Sequence, residues 1–73
     1  MSLEKQPLTS KQAEILNFIK EKIAENGYSP SRREISEHFE THLNNVSKYI
    51  DLLVYKGHLK KDSSTRPYTL YLL

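Results

Sequence analysis

The chain has 73 residues, 27% of them charged, with 11 Lys and Arg against 9 Asp and Glu, so its net charge of +2 does not by itself announce a nucleic-acid binder. That length suits one small domain, which buries only about 60% of the surface its unfolded chain exposes; an enclosed catalytic cavity is hard to fit, and binding becomes the default class over catalysis. There is no cysteine for a disulfide framework or thiolate zinc site, no apolar run near the ~18 residues of a membrane span, and no apolar core in "MSLEKQPLTS" for a signal peptide, so the sequence reads as a cytoplasmic protein held by helix packing.

Residues 1–8 are polar, include Pro7, show no period and are expected to form a flexible arm. "TSKQ" then matches a capping box, in which the Thr9 hydroxyl satisfies an orphan helix N–H and Gln12 reaches back, with Leu8 and Ala13 at staple spacing. The first helix follows, with Ile15, Leu16, Ile19 and Ile23 at three- and four-residue intervals, Phe18 flanking, and Gly27 suited to its left-handed end. Ser31 and Glu34 make a second capping box after Pro30, which predicts a two-turn helix from about Arg32 that buries Ile35 and Phe39, with small Ser36 where another helix can approach.

A third helix is expected over about 43–56, with Val46, Ile50 and Leu53 stacked at i, i+4 and i+7 and "KG" closing it. After that the period changes from helical to alternating. His58–Lys61 reads as a short strand, "DSSTRP" as a turn, and Tyr68–Leu73 as a second strand with Tyr68, Leu70 and Leu72 on one face and Thr69, Tyr71 and Leu73 on the other. Three helices and a hairpin in this order predict a mainly α fold with a small β-hairpin, a three-helix winged helix-turn-helix over residues 9–73.

At 100° per residue, the side of the third helix opposite Val46, Ile50 and Leu53 holds Asn44, Ser47, Lys48, Asp51 and Tyr55, with Asn45 beside them. Asn can pair bidentately with adenine, Ser can donate or accept, and Lys can reach guanine or a phosphate. Singly, each reads first as a solvated surface residue; grouped on one outward face near a helix start, they suit the reading of base edges. Arg32 and Arg33 open the second helix, whose N-terminus favours phosphate, although solvation or pairing with Glu37 would also explain them. Lys60, Lys61 and Arg66 lie on or beside the hairpin, where a wing-tip Arg can enter a narrow minor groove, while Glu14, Glu21 and Glu25 sit on the first helix.

The competing reading is a winged helix used for protein–protein contact or dimerisation, through outward Leu52, Val54, Tyr55, Tyr71 and Leu73. An enzyme is the weakest reading. His38, His42 and His58 do not pair at i, i+4, so no metal is expected; Glu34 and Glu37 suit capping and solvent, and no Gly-rich phosphate loop or nucleophile motif is present, so no cofactor is expected. The five tyrosines suit core-edge and wing packing, with Tyr68 or Tyr71 within reach of a backbone phosphate.

"LTSKQAEILNFIKEKIAENGYSPSRREISEHF", continued by "VSKYIDLLVYKGHL" and "RPYTLYLL", resembles the winged-helix DNA-binding domain of the LexA repressor family over about residues 8–73. The most specific parts are "LTxKQxxILxFI", "GYSPSxREI" and "KGHL". The resemblance implies sequence-specific binding of double-stranded DNA as a homodimer on a palindromic operator, to repress transcription, with the third helix in the major groove and a wing at 62–67. It places base contacts on His42, Asn44, Asn45, Ser47 and Lys48, with backbone contacts from the second helix and the wing, here Arg32, Arg33, Lys60, Lys61 and Arg66.

The sequence departs from the family pattern in the turn before the third helix, which is one residue shorter and carries Glu40 and Thr41 in place of the usual Gly and apolar residue. A longer second helix or a looser turn is expected from that. Nothing after Leu73 corresponds to the family's self-cleaving serine–lysine peptidase domain, so the associated switch is not expected within these residues.

Overall fold

Thr9 opens the first helix as its capping box predicts, the Gln12 backbone N–H donating to the Thr9 hydroxyl at 3.3 Å and the Thr9 N–H to Gln12 Oε1 at 3.2 Å. In the computed structural model, which describes residues 6–62, 64 and 69–73, α1 spans Ser10–Asn26, α2 Arg32–Phe39, α3 Leu43–Tyr55, β1 Leu59–Asp62 and β2 Thr69–Leu72. Gly27 ends α1 at φ 80°, a left-handed geometry that costs glycine little, and its N–H donates to the Ile23 carbonyl. Ser31 and Glu34 cap α2 reciprocally, at 3.0 and 2.9 Å. This is the three-helix winged helix-turn-helix expected from the element order.

The helix periods converge on one core. Ile15 and Ile19 of α1, Ile35 of α2, and Val46, Ile50 and Leu53 of α3 are all buried, and Leu59 and Leu70 close it from the hairpin. Each such side chain contributes roughly 1.5–3 kcal/mol relative to exposure. Phe39 is only half-buried, because α2 ends there and leaves its ring at the core's edge, packed against Phe18 and His38. Ser36 is buried and turns its hydroxyl back to the Arg33 carbonyl, so nothing bulky separates α2 from its neighbours.

The turn between α2 and α3 closes without glycine. α2 stops at Phe39, Glu40 takes φ 53°, and the N–H groups of Glu40 and Thr41 donate to the Glu37 and Ser36 carbonyls at 3.4 and 3.0 Å. Helix two therefore neither runs on nor loosens its turn; Glu40 accepts a left-handed conformation that costs a residue with a Cβ about 1–2 kcal/mol.

β1 and β2 pair antiparallel with Leu59 opposite Leu72, Lys60 opposite Tyr71, Lys61 opposite Leu70 and Asp62 opposite Thr69. β1 thus lies one residue later than expected, because the His58 N–H is taken by the Leu53 carbonyl at the end of α3. Of the expected arm, residues 1–5 lie outside the described residues, whereas 6–8 are tied down. The Gln6 N–H donates to the Lys56 carbonyl, Lys56 Nζ donates to the Pro7 carbonyl, and Leu8 packs against the core. His58 Nε2 lies 2.8 Å from the Gln6 carbonyl, which can only accept, so that ring nitrogen carries the proton.

Candidate nucleic-acid interface

The register that buries Val46, Ile50 and Leu53 leaves Asn44, Asn45, Lys48 and Asp51 exposed on α3, with Ser47 half-buried between the two sides. His42 is the N-cap of α3 and makes no side-chain capping bond, so its exposed ring is left over from the job that Thr9 and Ser31 do elsewhere. Among the described residues, neither Asn44 nor Lys48 is engaged in a side-chain hydrogen bond or ion pair. A donor–acceptor amide, an ammonium and an imidazole thus stand together at the first two turns of the helix.

The remaining expected base contacts are held by neighbours. Asn45 Nδ2 donates to Thr41 Oγ1 at 3.0 Å, reaching back across the first turn. Arg32 Nη1 donates to Ser47 Oγ at 2.9 Å, which brings the start of α2 onto the same surface as the polar side of α3. Arg33 is exposed one residue on. The Arg–Ser link escapes sequence reading, since it joins residues 15 apart in the chain and only the α2–α3 crossing makes them neighbours; Thr41 reads in the sequence only as a departure in the turn, although its bond to Asn45 spans four positions.

Lys60 and Lys61 project to opposite faces of the hairpin, because successive strand residues alternate. Lys60 stands opposite Tyr71 on the solvent face. Lys61 stands opposite Leu70 on the core-facing side, and its ammonium lies 3.8 Å from Asp51 Oδ1 of α3, so the hairpin is joined to the polar side of the helix by a charge pair. Arg66, Tyr68 and most of the turn at 62–67 lie outside the described residues. At the start of that turn the Asp62 carboxylate accepts from the Ser64 hydroxyl at 2.7 Å and the Ser64 N–H at 2.9 Å. Those two bonds, the hydroxyl foremost, hold its carboxyl below the usual carboxylate range.

Acidic residues of α1 gather elsewhere. Glu14 and Glu21 line a shallow groove between α1 and α2 with Asn17, Phe18, His38 and Phe39, in which the His38 ring stacks on Phe18 at 4.1 Å. Lys56 is also withdrawn from the surface described above. Its ammonium donates to Gln12 Oε1 at 2.7 Å, so the buried Gln12 both caps α1 and clamps the end of α3. Among the described residues no three His, Cys, Asp or Glu side chains converge as metal ligands. No helix of the described residues is long and apolar enough to cross a membrane.

Residues 5–67 match the model of the family described as LexA DNA binding domain. The chain is 40% identical to a LexA repressor of Thermosipho melanesiensis over 55 residues, covering 75% of this chain and 28% of that protein. It is 44% identical to a LexA repressor of Caldicellulosiruptor saccharolyticus over 63 residues, 82% of this chain and 30% of the other. A LexA repressor of Leuconostoc mesenteroides is 45% identical over 56 residues, 75% and 26% respectively. The chain thus spans under a third of the length of these curated relatives.

Proposed function

Since the chain belongs to the LexA DNA-binding domain family, we propose that it is a sequence-specific binder of double-stranded DNA that represses transcription in the cytoplasm, as a homodimer on a palindromic site. α3 enters the major groove by its N-terminal end. His42, Asn44, Asn45, Ser47 and Lys48 face base edges, and Arg32, Arg33, Lys60, Lys61 and Arg66 meet the sugar–phosphate backbone, with the wing at 62–67 beside the adjacent minor groove. The observation that carries this reading is the two-sidedness of α3: Val46, Ile50 and Leu53 are at most 1% exposed, while Asn44, Asn45 and Lys48 stand exposed at its uncapped start. A helix anchored from behind is free to place its front in a groove without losing stability.

Selection from a random duplex library at low salt tests the reading. A motif with two-fold symmetry should emerge, and affinity for it should fall steeply with salt, by about 0.9 in log–log slope per phosphate contacted. Failure to enrich any motif would sink it. A second reading, docking of a protein or a second copy, draws on Tyr55 at 77% and Leu52 at 39% exposed on the C-terminal half of α3. An apolar contact of that kind barely responds to salt, and the same titration therefore separates the two.

A further inference from the structure

We infer that Thr41 is a positioning residue for base recognition, one that orients the Asn45 amide so that this side chain reads adenine. The inference rests on the DNA-binding reading above and deepens it. Asn45 occupies the third position of α3, where α1 and α2 place Gln12 and Glu34 to reach back and accept from the N–H of their own N-cap residues. Asn45 does something else. Its Nδ2 donates to the Thr41 hydroxyl at 3.0 Å, one residue before the N-cap.

Thr41 is itself fixed, half-buried, with its N–H on the Ser36 carbonyl at 3.0 Å, and the Asn45 N–H is on the His42 carbonyl at 3.0 Å. Both ends of the side-chain bond are thus mounted on closed backbone. One amide N–H is consumed, and Oδ1 and the second N–H remain to face outward. That remaining acceptor–donor pair complements the N6 donor and N7 acceptor of adenine. The opposite amide orientation, with Thr41 donating to Oδ1, would present only N–H groups and suit the guanine O6 and N7 acceptors instead. While Nδ2 donates to the Thr41 hydroxyl, Asn45 is held in the adenine-reading orientation by a residue that itself need touch no base.

Thr41→Val keeps the shape and the backbone bond and removes the hydroxyl. The test is selection from a random library by the full chain and by the T41V, T41S and N45A variants and the T41V/N45A double variant, with melting temperatures measured alongside. In T41V, discrimination for adenine should fall about tenfold at one position of the site, out of the several-fold to over a hundredfold that a bidentate pair commands. T41S should restore it, and T41V should add nothing on top of N45A, because the effect runs through Asn45. An unchanged adenine preference in T41V, or a uniform loss across all positions that follows a lowered melting temperature, would overturn the inference while leaving the DNA-binding reading intact. If the unmodified chain enriches no motif, both fall together.

Discussion

The starts of α1 and α2 differ from the start of α3 in how they use polar side chains. At Thr9–Gln12 and Ser31–Glu34 both partners are turned inward on backbone N–H groups, and the helix end is satisfied by its own sequence. At the start of α3 the N-cap is His42, which caps nothing with its side chain, and the third residue reaches a threonine hydroxyl rather than the N-cap backbone. On the proposed reading, the two kinds of helix start separate stability from recognition within one small domain. α3 tolerates the poorer start because Val46, Ile50 and Leu53 hold it from the other side; asparagine costs a few tenths of a kcal/mol per helical position, and burial of three aliphatic side chains outweighs that several times over.

Substitutions at the two kinds of helix start should have opposite signatures. Asn44→Ala should cost about 1–3 kcal/mol of binding on the preferred duplex and relax one base position, with the melting temperature unchanged or slightly raised. Lys60→Ala, by contrast, should weaken all duplexes alike. Equal losses of Asn44→Ala on preferred and random duplexes would count against its place at a base edge. Ser31→Ala should do the reverse, lowering stability by about 1 kcal/mol, or roughly 4–8 °C in melting temperature for a domain of this size, without altering base preference. A changed motif in the Ser31 variant would dissolve the distinction between the two kinds of start.

What was legible in the sequence was what is local. The capping boxes, the left-handed Gly27 and the α3 ladder are set by residues three or four apart, and each stands where its spacing predicts. The contacts that assemble the candidate surface are long-range and were not legible. Arg32 meets Ser47 across the α2–α3 crossing, and Lys61 of the hairpin meets Asp51 of α3. Glu40 is an intermediate case: its mismatch with the expected glycine was visible, but the hydrogen bonds from Glu40 and Thr41 back into α2, which compensate the strained φ, depend on the folded turn.

On the proposed reading, the uncapped, outward side of the α3 start is the surface that meets DNA. Backbone and side-chain amide resonances recorded while the selected duplex is titrated into the full chain test it most directly. The largest shifts should fall on residues 42–48 and Arg32, with the Asn44 and Asn45 side-chain amides among them and the α1–α2 groove at Glu14, Glu21 and His38 silent. Shifts concentrated in that groove, or on Leu52 and Tyr55 with 42–48 unmoved, would contradict it.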